Sequence, residues 1–156
     1  KAGSETVSVP VFKDGSAALE AEYVFELGNV DDLKVTDPTF DEILSIIRAC
    51  YIGVEVASSP VRAINDMGPL AVVSDFGNNY GLIYGKKIED FSAQLLGKTD
   101  VSTYIDGQLA GAARARSWPD GPLSAVAFLI GNLRKRGFAI PVGIKVSSGA
   151  LTGVHD

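Results

Sequence analysis

Glu20 and Glu22 stand two residues apart in the run Ala18-Leu19-Glu20-Ala21-Glu22-Tyr23-Val24-Phe25-Glu26-Leu27, where most acidic residues alternate with apolar ones. Alternation of period two belongs to a β-strand. It sends both carboxylates to one face, about 6.6–7 Å apart along the backbone. Carboxylates this close repel one another unless water or a shared cation intervenes. Hard oxygen ligands of this kind suit Mg²⁺ or Mn²⁺, ions that keep waters or take substrate oxygens as further ligands. Glu55 is a third candidate. Its neighbours Ile52, Val54 and Val56 are apolar, and a lone Glu in a short apolar strand needs a partner or a metal. A solvated outer face is the commoner reason for such a pattern, since Glu26 lies on that face too, and spacing alone does not bring Glu55 to the other two.

Other chemistries are poorly supplied. His155 is the only histidine, so a Ser-His-Asp or Cys-His centre would depend on a residue at the C-terminal edge. Cys50 stands alone, which excludes a disulfide within the chain and suits a reducing cytoplasm. It is expected on the apolar face of a helix, as packing rather than as a nucleophile. Gly77 and Gly81 form no phosphate loop, and no Gly-x-Gly-x-x-Gly occurs. Trp118 before Pro119 reads as a loop anchor. The net charge is −5 and the isoelectric point near 4.8. Positive charge is densest at Arg134, Lys135 and Arg136, at a helix end where cations complement the helix dipole, so no nucleic-acid partner is expected. Mean hydropathy is +0.18, yet no apolar run reaches the roughly 18 residues of a membrane span, and no secretory signal pattern opens the chain. A soluble cytoplasmic protein is expected. With 46% apolar residues in 156, it can bury a real core as a single domain, 1–156.

The elements that must position these residues are mostly strands. Val7–Phe12 reads as an edge strand containing Pro10, followed by a turn at Lys13-Asp14-Gly15. Ala18–Leu27 is the clearest strand. A helix is expected over Thr39–Cys50, capped by Asp37 or Thr39, with Thr39 and Glu42 spaced as a capping box. Tyr51–Ala57, Leu70–Ser74 and Leu82–Tyr84 read as further strands, with a turn at Asn78, Asn79 and Gly81. Asp106-Gly107 between Val101–Ile105 and Gln108–Ala113 is a two-residue hairpin signal. A second helix is expected over Pro122–Arg136, started by Pro122 and stopped by Gly137, and Lys145–Ser148 closes the pattern as a strand. Two helices far apart among many strands give a β-rich, mixed-sheet α+β domain rather than a βαβ repeat.

Five segments in order resemble the fumarylacetoacetate hydrolase superfamily. Leu19-Glu20-Ala21-Glu22-Tyr23-Val24-Phe25 resembles its paired-glutamate strand, and Ile52-Gly53-Val54-Glu55-Val56-Ala57-Ser58-Ser59-Pro60 its next acidic segment. Val73-Ser74-Asp75-Phe76-Gly77-Asn78-Asn79 resembles the following Asp-containing loop. Gly121-Pro122-Leu123 at a helix start and Ser147-Ser148-Gly149-Ala150-Leu151-Thr152-Gly153 resemble the late landmarks. The match is closer to the 2-keto-4-pentenoate hydratase and 2-oxo-3-hexenedioate decarboxylase branch than to the C–C hydrolases. Glu55 is followed by Val56 and small residues, and no lysine stands in a setting like the hydrolases' catalytic one.

The resemblance implies a fold like the superfamily's C-terminal domain, with Glu20, Glu22 and Glu55 binding one Mg²⁺ or Mn²⁺. It implies Asp75 as a proton-transfer residue, with Ser148 and Asn78 binding substrate. The implied activity is a hydro-lyase reaction of aromatic catabolism, adding water to a 2-hydroxydienoate of the 2-keto-4-pentenoate type, a small 2-oxo acid, in a homo-oligomer. A decarboxylase of the 2-oxo-3-hexenedioate type and a non-catalytic binding domain that keeps the fold are the alternatives. Family members are usually longer, with an N-terminal helical region that supplies a lysine and with closing strands, so the chain is expected to be a core lacking both segments. Gly143-Ile144-Lys145 departs from the family's Gly-Asp, and Ser148 stands where Thr is common.

Overall fold

The computed structural model describes residues 6–33, 38–91, 99–116 and 120–156. Its centre is a long hairpin-like pair, β1 (Ser16–Leu27) and β2 (Ile47–Ser59), joined through the short helix α1 (Phe40–Ser45). Next come α2 (Pro69–Ser74), β3 (Asn79–Lys87), the hairpin β4 (Asp100–Ile105) and β5 (Gln108–Arg114), and α3 (Pro122–Lys135). Two short strands, β6 (Lys145–Ser147) and β7 (Val154–His155), end the chain. The main sheet runs β3-β2-β1-β6, with β7 also on β1, and β4-β5 forms a separate ribbon. Each of these pairings is antiparallel, so the β-rich α+β class expected from the sequence is what the chain forms.

The alternation along β1 decides how the layers stack. Tyr23, Phe25 and Leu27 point to the helix side, where they bury against Ile43 and Ile46 of the α1 region, Cys50 of β2, and Leu123, Val126 and Ile130 of α3. Each such fully buried side chain contributes about 1.5–3 kcal/mol by leaving water. Glu20, Glu22, Val24 and Glu26 are thereby forced to the opposite face of the sheet. The register sets Glu20 against Glu55, Glu22 against Gly53 and Val24 against Tyr51. A side chain at 53 would not fit, because a Cβ there would lie 2.3 Å from Val24 Cγ2.

Several local signals hold. Thr39 and Glu42 form both bonds of the capping box, Glu42 N donating to Thr39 Oγ1 and Thr39 N to Glu42 Oε2. Asp106 and Gly107 both have positive φ, 50° and 78°, as a two-residue hairpin turn requires. Gly137 stops α3 at φ 73°.

Four expected elements differ, one of them the turn at Asn78, Asn79 and Gly81, where Asn79 and Gly81 belong to β3. The helix predicted over Thr39–Cys50 ends at Ser45, and Ile47–Cys50 belong to β2. Pairing of β2 with β1 outweighs the helical spacing of Ile43, Ile47 and Cys50. Cys50 is buried in a strand, not on a helix, and burial pushes its thiol up to about 12, which suits a packing residue. Leu70–Ser74 is helix α2 rather than a strand; Pro69 supplies a preformed helical start. Val7–Phe12 forms no ladder, and Phe12 N donates instead to the Ser58 hydroxyl. Asp37 and Trp118 lie outside the described residues. Among the described residues no helix is long and apolar enough to cross a membrane.

Candidate metal centre

The β1–β2 register does what spacing could not. Each of Glu20, Glu22 and Glu55 offers a carboxylate oxygen, and these three atoms lie within 4.8 Å of one another. Opposite ligands of one Mg²⁺ at about 2.1 Å span about 4.2 Å, so the cluster has the dimensions of a single cation's shell. All donors are hard carboxylate oxygens, which suit a hard divalent ion.

Electrostatics separates these three from an ordinary acidic face. Glu26, on the same face, has the Lys145 ammonium at 3.4 Å and the Tyr51 hydroxyl donating at 3.1 Å. The Tyr51 bond, helped by the Lys145 charge, holds its carboxyl below the usual range. No ion pair among the described residues reaches Glu20, Glu22 or Glu55. Burial, with the Glu55 charge second, raises the Glu20 carboxyl. Glu22 is only 2% exposed. Burial above all, opposed by the Gly149 N–H bond and the nearby Ser147 hydroxyl and reinforced by the charges of Glu55 and Glu20, pushes its carboxyl up to about 7. Glu22 Oε1 is buried without a hydrogen-bond partner among the described residues. A buried carboxylate oxygen in that state costs stability unless a proton or a cation satisfies it. The residues present therefore fit a divalent cation.

The remaining sequence candidates are spread around this cluster. Asn78 shares with Glu20 a cavity of about 190 Å³, also lined by Asn65, Ala57 and Asp156. Its Nδ2 donates to Asn65 Oδ1 at 3.0 Å, and its Oδ1 is buried without a partner among the described residues. Asp75 caps the end of α2, with one carboxylate oxygen buried and likewise unpartnered, and is not among the residues lining that cavity. Ser148 lines a different, larger cavity of about 770 Å³ beside the start of α3. Its hydroxyl accepts from Tyr23 N at 3.0 Å.

Sequence reading missed the groups that touch the carboxylates. Asn79 Nδ2 donates to Glu55 Oε1 at 2.8 Å, and Gly149 N donates to Glu22 Oε2 at 2.8 Å. Ser147, not Ser148, is the serine that acts on the Glu22 carboxyl, lowering it from the β6 position opposite Val24. Period two along β6 could have found Ser147, since its register partner Val24 lies on the face that carries Glu22. Nothing in the sequence points to a backbone amide.

The chain matches no protein-family model and no curated protein. Among solved structures it is similar to 4-oxalocrotonate decarboxylase from Pseudomonas putida G7 complexed with magnesium and adipate. The TM-score is 0.72 and the identity 23%, over 89% of this chain and 52% of that one. The same enzyme complexed with calcium and acetate aligns with a TM-score of 0.68 at 23% identity, over 89% and 51%. The chain thus spans about half the length of the solved structures it matches, and the likeness establishes its fold.

Proposed function

We propose that this chain is the metal-binding core of a divalent-metal-dependent lyase of the fumarylacetoacetate hydrolase superfamily, acting on a 2-oxo acid. The observation that carries this reading is the convergence of Glu20, Glu22 and Glu55 within 4.8 Å with no cationic side chain paired to any of them among the described residues. The fold shared with a magnesium-complexed decarboxylase and the five sequence segments in order support it.

In this reading the three glutamates hold Mg²⁺ or Mn²⁺. A divalent ion there supplies Lewis acidity toward the 2-oxo and carboxylate oxygens of the substrate. Asp75 takes and returns the proton as the 2-hydroxydienoate loses its hydroxyl hydrogen and gains one on carbon. Water then adds across the remaining C=C bond to give a 4-hydroxy-2-oxo acid. Asn78 beside Glu20, and Ser148 on the loop that reaches Glu22, contribute polar groups to substrate binding. The assignment to hydration follows the sequence resemblance. A second reading, decarboxylation of a 2-oxo-3-hexenedioate, is favoured by the activity named for both solved neighbours. As in the family it resembles, the chain would work in a cytoplasmic homo-oligomer.

Incubation with Mg²⁺ and each substrate separates the readings. Hydration predicts loss of the dienoate absorbance with no CO₂ released. CO₂ release from the hexenedioate establishes the second reading instead. Tight metal binding with neither reaction would leave a non-catalytic domain that keeps the fold.

A further inference from the structure

Glu22 and Glu55 each give up one carboxylate oxygen to a neutral N–H donor. We infer that Asn79 and Gly149 are positioning residues, each anchoring one oxygen of a metal ligand so that only the other is presented to the ion. This rests on the metal-binding reading of the glutamate trio.

The local backbone is built around both contacts. Asn79 opens β3 opposite Ala57, two residues along β2 from Glu55 and therefore on the same face. The three residues before it, Phe76, Gly77 and Asn78, all have positive φ, at 53°, 73° and 60°. Only the glycine adopts that conformation freely, and strain at non-glycine residues collects where function requires it. The strained turn delivers the Asn79 amide to Glu55 Oε1 at 2.8 Å while Asn79 itself stays exposed, so packing does not explain its placement.

Gly149 is placed just as deliberately. The segment after β6 bonds to β1 on both sides of Glu22, with Ser148 N donating to Tyr23 O at 3.0 Å and Leu151 N to Ala21 O at 2.9 Å. Between those two bonds it bulges over Glu22, and Gly149, at φ 92°, turns its N–H onto Glu22 Oε2 at 2.8 Å. Both donors are uncharged. They orient the carboxylates without cancelling the negative charge that attracts a cation, whereas Glu26 on the same face receives a lysine.

The consequence is one-point coordination by Glu22 and Glu55. With Glu20 also giving one oxygen, a six-coordinate ion keeps about three positions for water or substrate. Without the Asn79 amide, Glu55 is free to offer both oxygens.

The test is Asn79→Leu, a near-isosteric change at an exposed position. Mn²⁺ affinity is read by calorimetry, and Mn²⁺-bound water by proton relaxation. The expected result is an affinity loss of about 10-fold or more, a fall from about three bound waters to about two, and an unchanged melting temperature of the metal-free protein. Gly149→Ala should weaken Mn²⁺ binding as well, but its strained backbone makes Asn79→Leu the deciding variant. Affinity within threefold of wild type, or an unchanged water count, overturns the inference while leaving the metal centre standing. Failure of the wild-type chain to take up Mn²⁺ at all overturns both.

Discussion

Glu22→Ala is expected to lose more than about 100-fold in Mn²⁺ affinity, and as much in any metal-dependent kcat/KM. Removing a mere hydrogen-bond partner of a metal ligand typically costs about 10- to 100-fold, so deleting the most buried ligand of three should exceed that. Glu22 is 2% exposed, its Oε1 has no hydrogen-bond partner among the described residues, and it lies between Glu20 and Glu26 on one strand face. Glu26→Ala is the matching control. That carboxylate is already committed to Lys145 and Tyr51, so its loss should leave Mn²⁺ affinity within about threefold of wild type. Calorimetry on both variants checks the pair of outcomes. Equal losses would mean that the face acts as a diffuse negative field rather than as a site.

The second large effect concerns pH in the absence of divalent ions. Burial, together with the charges of Glu55 and Glu20, raises the Glu22 carboxyl from its ordinary 4.5 to about 7 in the folded protein. A raised folded value means that the native state holds a proton the unfolded chain releases. The stability this contributes is complete below about pH 4.5 and is lost as pH rises to about 7. Allowing for partial screening, the loss is about 2 kcal/mol. Glu20, raised in the same direction, adds to it. The lowered carboxyls of Glu26, Glu42 and Asp100 act in the opposite sense and below the ordinary carboxyl range, so they do not mask this window. Metal-free Glu22→Gln should therefore melt higher than wild type above pH 7 and show a flatter profile between pH 4.5 and 7. Saturating Mg²⁺ should reverse the order above pH 7, since ligand at 100 times its Kd adds about 2.7 kcal/mol to the form that binds it. A metal-free wild-type melting temperature that climbs from pH 5 to pH 8 would show that Glu22 is not held neutral by its surroundings.

How much of this was legible in the sequence depends on the range of the interaction. Glu20 and Glu22 were readable because period two is a local property of the strand. The capping box at Thr39 and Glu42, the Asp106-Gly107 turn and the Gly137 stop were readable for the same reason. The meeting of Glu55 with Glu20 was not, because it depends on the register between strands whose sequence separation here is 35 residues, and a slip of one residue would turn Glu55 to the helix side. Ile43, Ile47 and Cys50 fit a helical face and so predict a helix running past Ser45, while the competing strand pairing lies outside any local window. The Gly149 amide was invisible in principle: a backbone N–H has no residue type to betray it, and its partner is 127 residues away. Asn79 reads as turn chemistry beside Asn78 in the sequence, and only the side-chain hydrogen bonds show that Asn79 reaches a carboxylate while Asn78 reaches Asn65.

In the proposed function, Glu20, Glu22 and Glu55 form one divalent-cation site that presents open positions to a chelating 2-oxo acid. Calorimetric titration with Mg²⁺ or Mn²⁺, followed by oxalate as a chelating mimic, tests it most directly. One ion per chain is expected, with oxalate binding only after the ion and both steps lost in Glu55→Gln. Absence of metal binding, or oxalate binding that is indifferent to the metal and to Glu55, would contradict it.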